Sequence, residues 1–139
     1  MSQLLWADGV STQYSLISIR DFGTADNPVA ETGEEEVIYS PGQIFVASRS
    51  DVDGDVRVEV WLGTPGPDSG RRVMDSVMNF SSGIMSVTDP GDLDEESLRL
   101  PEPGPWCVSV CVQGEPRPHT VSLFLQPGEP TEIGASVRS

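Results

Sequence analysis

Val56, Val58, Val60 and Leu62 fall on every second position, with Asp55, Arg57, Glu59 and Trp61 between them. That is the period of a pleated strand with one face in a core and the other toward water. Trp106, Val108, Val110 and Val112 repeat the pattern, and Val121, Leu123 and Leu125 alternate with Thr120, Ser122 and Phe124. These windows predict strands over 55–62, 106–113 and 119–126. Tyr14, Leu16, Ile17 and Ile19 predict an earlier strand over 12–20, extended by Phe22, on β-branched and aromatic content. Residues 37–39 read as a short edge strand, and 43–49 and 83–88 as further strands. The window 71–80 is ambiguous. Val73, Val77 and Phe80 fit a helical period, while Val73, Asp75, Val77 and Asn79 fit the exposed face of a strand. The meander-like loops around it favour the strand.

Turn signals separate these segments. Asp53-Gly54 is the dipeptide preferred in a two-residue hairpin turn, which predicts that 43–49 and 55–62 pair with each other. Ser40-Pro41-Gly42, Ser81-Ser82-Gly83 and 114–118 read as turns, and 63–70 (GTPGPDSG) as a loop that neither helix nor central strand tolerates. Residues 23–36 and 89–97 are acidic surface loops, the second with room for one helical turn. Residues 1–11 show no clear period, and 131–139 read as a fraying tail. The expectation is one all-β domain spanning 1–139. It is an antiparallel β-sandwich of seven or eight short strands with acidic loops, its core over about 11–126 and a loose tail over 127–139.

Charge adds a constraint on partners. The 139 residues carry 22 Asp and Glu against 8 Lys and Arg, a net charge of −14. Such a surface repels nucleic acid and anionic membranes, and attracts a basic protein at a salt-sensitive rate. No apolar run approaches the roughly 18 residues of a membrane helix. No basic segment precedes an apolar one at the N-terminus, so the expected compartment is the cytoplasm.

The chain offers little to catalysis or metal binding. Cys107 and Cys111 lie four apart on one predicted strand, about 13 Å between Cα atoms, too far for a disulfide. Nor is their spacing that of a redox pair or a zinc half-site. His119 is the only histidine. It could face one of the cysteines in a nucleophile–base pair, but an ordinary surface role is the simpler account. Asp51-Val-Asp-Gly-Asp55 opens like a calcium loop, but position 12 of that loop is Leu62 rather than Glu and its glycine comes too early. A weak calcium site joining it to Asp92, Asp94, Glu95 and Glu96 is an alternative to a plain turn. Residues 63–70 lack the Lys-Ser/Thr of a phosphate loop. No carboxylate has the apolar surroundings in sequence that would raise its pKa for glycosidase-type work. No catalytic residue, metal ligand or cofactor is therefore expected.

Acid instead gathers in three clusters: Glu31 with 34–36; Asp51 with Asp53 and Asp55; and Asp89 with Asp92 and 94–96. Carboxylates arrayed on a rigid sheet edge imitate the spaced charge of a nucleic-acid backbone. Candidate partner-binding residues are Asp51, Asp53, Asp55, Asp92, Asp94, Glu95 and Glu96, with Trp61 as an anchor if its face lies open at a sheet edge. The order of elements resembles the small competence-type nuclease inhibitors of bacteria. The matching features are a Tyr-containing first strand (STQYSLISI, 11–19), a middle strand ending in Val60-Trp-Leu62, and Leu98-Arg-Leu-Pro101 followed by Gly104-Pro-Trp-Cys-Val-Ser-Val110. The resemblance implies a nuclease-inhibiting or immunity-like role. The expected function is thus a non-enzymatic, acidic binding domain for a basic partner such as a nuclease or toxin. A homo-oligomeric assembly module and a calcium-dependent binding domain are the alternatives.

Overall fold

The inward phases of the alternating segments meet between two five-stranded sheets. A computed structural model describes residues 2–12, 15–24, 28, 35–88, 96–115 and 117–128. Ten strands occur among them, more than the seven or eight expected: β1 (Gln3–Val10), β2 (Leu16–Asp21), β3 (Val37–Ser40), β4 (Gln43–Ala47), β5 (Val56–Leu62), β6 (Arg71–Phe80), β7 (Ile84–Thr88), β8 (Glu96–Arg99), β9 (Gly104–Gln113) and β10 (Thr120–Pro127). The first sheet has the order β1-β5-β10-β9-β6, the second β3-β4-β2-β7-β8. All neighbours are antiparallel except β5 and β10, which run parallel in the middle of the first sheet. No helix is long and apolar enough to cross a membrane among the described residues.

Val56, Val58, Val60, Met78, Phe80, Val108, Val110, Leu123 and Leu125 from the first sheet meet Ile17, Ile19, Ile44, Val46, Met85 and Val87 from the second, all fully or almost fully buried. The ambiguous window 71–80 is a ten-residue strand, as the surrounding loops favoured. Strand β1 was not anticipated. Its Leu5, Trp6 and Val10 pack on the core, so the sandwich begins before residue 11. Residues 129–139, where a loose tail was expected, lie outside the described set.

The expected hairpin between 43–49 and 55–62 does not form. β4 belongs to the second sheet and β5 to the first, and Asp51–Asp53 form one 3-10 turn on the path between them. Gly54 supplies the positive φ that the sequence demanded (117°), but for a crossover rather than a hairpin. A hairpin would require both strands to share a ladder, whereas the apolar faces of β4 and β5 bury more by facing each other across the core. The tight hairpin lies instead at Pro41-Gly42, joining β3 and β4. Ser81-Ser82-Gly83 likewise passes the chain between sheets, and β7 pairs with β2 and β8 rather than returning on β6. Asp21, 7% exposed, closes that turn by accepting bonds from the Ser81 hydroxyl and from the backbone N–H and hydroxyl of Ser82.

One side of the sandwich is closed by contacts between the two edges. Arg71 of β6 holds Glu36, next to β3, through two hydrogen bonds, and the Asn79 N–H donates to the Pro41 carbonyl at 2.7 Å. On the other side β1 pairs only with β5 among the described residues.

Candidate functional site

The strand directions bring the described carboxylates of the acidic segments to one end, where Arg49, Arg71 and Arg117 also stand. Running β5 forward from Val56 puts its start beside Val10 of β1, Thr120 of β10 and, beyond, Gln113 of β9 and Arg71 of β6. In the second sheet the same end carries Leu16, Ala47, Val37, Thr88 and Glu96. At this end, therefore, lie the 51–55 crossover, Glu36 and Glu96. Thr88 and Glu96, the two residues that flank 89–95, both stand here as well. Asp53, Asp55, Glu96 and Glu115 are exposed. Arg49 stands among these carboxylates, its Nε and Nη2 both donating to the Asp55 backbone carbonyl (3.1 and 2.5 Å). Glu36 is the acid here with a firm cation: the Arg71 guanidinium holds its carboxyl below the ordinary carboxylate value.

Of the predicted partner-binding residues, Asp53, Asp55 and Glu96 share this end, and Asp51 opens its 3-10 turn. Asp92, Asp94 and Glu95 lie outside the described residues. Trp61 does not join them. It is six positions along β5 from Asp55, about 20 Å away, and β5 is an interior strand, not an edge.

Trp61 belongs to a second feature that the alternation alone did not reveal. Residues 63–70 leave β5 at one end of the first sheet and enter β6 at the other, passing as a strap over the outer face of β10 and β9. The Ser2 hydroxyl donates to the Thr64 carbonyl (2.8 Å), the Gly63 N–H to Leu125 (2.9 Å) and Gln113 Nε2 to Ser69 (3.4 Å). Beneath the strap is an open slot of about 330 Å³. Trp61 and Phe124 line it, their rings stacked with centroids 6.0 Å apart and planes 11° from parallel. They meet because Trp61 and Phe124 are register partners on the parallel pair β5 and β10.

Glu59 forms one wall. Its Oε1 accepts the Trp61 indole N–H (3.0 Å) and the Ser122 hydroxyl (3.1 Å), and its Oε2 accepts Arg57 Nε (2.6 Å). Burial pushes this carboxyl toward a higher pKa, but the bonds from Arg57, Trp61 and Ser122 more than offset that and hold it below the ordinary value. The strap explains why Ser122 and Phe124, on the outward phase of β10, are only 2% and 5% exposed. The signal in the sequence was two large aromatics, Trp61 and Phe124, standing out of phase with their apolar neighbours.

The remaining candidates stay apart. Cys107 faces Gln126 across the ladder and Cys111 faces Ser122, so neither is the cross-strand partner of His119. Burial pushes the Cys111 thiol up, away from the thiolate that a nucleophile needs. His119 is exposed and its Nδ1 lies 2.8 Å from the Thr120 hydroxyl. Among the described residues no three His, Cys, Asp or Glu side chains come together as a metal-sized group.

No protein-family model matches the chain, and no curated protein sequence matches it. Solved structures do. The product of crocagin biosynthetic gene J superposes with a TM-score of 0.53 at 11% identity, over 93% of this chain and 98% of that one. The crystal structure of ComJ from Bacillus subtilis, an inhibitor of the DNA-degrading activity of NucA, superposes with a TM-score of 0.71 at 12% identity. That match covers 92% of this chain and 99% of ComJ. At these identities the likeness is one of fold, and this chain shares the sandwich of ComJ from end to end.

Proposed function

We propose that this chain is a non-enzymatic inhibitor of a basic protein, a nuclease or toxin in the cytoplasm, and that it docks through its acidic end. The observation that supports this most is the full-length fold likeness to ComJ, an inhibitor of a DNA-degrading activity. The net charge of −14 and the gathering of Asp53, Asp55 and Glu96 at one end supply the complement to a basic partner. In this reading the carboxylates set encounter rate and orientation, and desolvated anchors supply affinity. Asp51, Asp92, Asp94 and Glu95 complete the proposed surface by sequence, and nucleic acid and anionic membrane are repelled by it.

The test begins with capture of partners from cell lysate at low and high salt, followed by assay of the captured protein for DNA-degrading activity with and without this chain. A basic nuclease that is recovered at low salt and silenced by stoichiometric addition is the expected result. Replacing Asp53, Asp55 and Glu96 with their amides should then slow association and flatten its salt dependence. An unchanged association rate would remove the acidic end from the interface.

The outer edge of β1, which no described residue pairs, favours one second reading, a homo-oligomer built by strand pairing. The irregularity between Leu4 and Trp6 blunts that edge, and the net charge opposes self-association. Light scattering separates the two, since pairing through β1 gives a mass that rises with concentration.

A further inference from the structure

We propose that the slot beneath the 63–70 strap receives an arginine side chain of the partner, held against the Trp61 indole between the carboxylates of Glu59 and Asp68. The inference rests on the reading above that the partner is a basic protein, and adds where one of its cations is anchored.

Shape comes first. The half-buried Trp61 indole, backed by the stacked Phe124 ring, offers an aromatic surface to the slot, and the guanidinium is a planar cation that is weakly hydrated and stacks on such surfaces. The volume of about 330 Å³ suits one long side chain. Charge selects among candidates. Glu59 accepts three hydrogen bonds, and a carboxylate has about four lone-pair sites, so one remains for a guest donor. Asp68 is exposed on the strap and makes no ion pair among the described residues. An anionic guest meets two carboxylates, and an uncharged aliphatic one strips water from both without replacing it. A lysine brings a compact, strongly hydrated charge that gives up more water than a guanidinium to lie on the indole.

The slot is also formed in advance. Pro65 and Pro67 fix two φ angles of the strap, and a turn from Gly66 to Ser69 is closed by the Ser69 N–H on the Gly66 carbonyl (3.1 Å) and by the Gly66 N–H on the Ser69 hydroxyl (2.9 Å). The tethers at Ser2 and Gln113 hold both shoulders. Little ordering is then left to oppose binding.

The test needs no partner. The protein is labelled with nitrogen-15 and titrated with N-acetyl-arginine methylamide, reading the Trp61 indole N–H and the Ser69 and Phe124 amides. The lysine and norleucine analogues serve as comparisons. A saturable shift with the arginine probe at millimolar concentration is expected, stronger than with lysine and absent with norleucine. Asp68→Asn, a change at an exposed loop position, should weaken it about threefold to fivefold, the scale of one solvent-exposed ion pair. No saturable shift, equal binding of norleucine, or an unchanged affinity in Asp68→Asn each overturns the proposal. The two readings fail separately. Probe binding without any basic partner keeps the slot and ends the inhibitor reading. An inhibited nuclease with no probe binding does the reverse.

Discussion

Glu59 shows how much one position on the polar phase of a strand can carry. Its carboxylate ties Arg57 and Trp61 on its own strand to Ser122 on the next, and half-buries a charge with three donors around it. Glu59→Gln should lower stability by about 1–2 kcal/mol, the loss of charge-assisted bonds at a partly buried site. The pH dependence has a definite sign. A carboxyl whose folded pKa is depressed contributes fully above its unfolded value and loses that contribution as pH falls through the lower folded one. The gap in melting temperature between wild type and Glu59→Gln should therefore be widest near neutrality and close below about pH 4. A gap that persists undiminished in acid would mean that packing, not charge, sets the cost. Nothing in the sequence around Glu59 announced this role, because its partners are two positions away on β5 and across the ladder at 122. Alternation identified which face of β5 enters the core, yet could not say that the other face is covered.

At the level of elements, strands were far more legible than their pairings. The alternating windows became β5, β9 and β10, and the edge strand at 37–39 became β3. What failed was the inference from turn to neighbour. Asp53-Gly54 and Ser81-Ser82-Gly83 look like hairpin turns, but each transfers the chain to the opposite sheet. A turn dipeptide reports local φ, while the choice of neighbour is decided by where apolar faces meet. The strap makes a similar point, since its composition predicts irregular chain and says nothing of what lies beneath. Two of its three glycines, Gly66 and Gly70, give a matched experiment. Gly70 has φ of 101°, and a side chain there would stand 2.4 Å from the Val112 carbonyl oxygen, whereas nothing lies within 4 Å of a side chain placed on Gly66. Gly70→Ala should cost about 1–3 kcal/mol, and Gly66→Ala should leave denaturant midpoints within experimental error. Equal midpoints for both variants would show that the strap yields without strain.

For the molecule as a whole, charge and topology pull in different directions. A net charge of −14 on 139 residues repels itself most strongly in the folded state, where the carboxylates are closest. Added sodium chloride should raise the melting temperature from low salt to about 0.15 M, where the screening length is about 8 Å. A flat response would mean that cations such as Arg57 and Arg71 already balance the field locally. The placement of Glu36, Asp53, Asp55 and Glu96 at one end could not be read from the sequence, because it depends on the direction of every strand in both sheets.

The parallel seam between β5 and β10 has a consequence for how the chain is made. The centre of the first sheet is occupied by β10, the last strand among the described residues, entering between two strands that precede it. During synthesis from the N-terminus, β5 emerges with β1 on one side and nothing on the other, and β9 emerges beside β6 with its far edge equally bare. Both halves must wait for residues 120–127 to arrive and zip them together. Until then, two long apolar ribbons present matching vacant edges, the state in which a neighbouring nascent chain can donate its own final strand. The net charge of −14 keeps those unfinished copies apart.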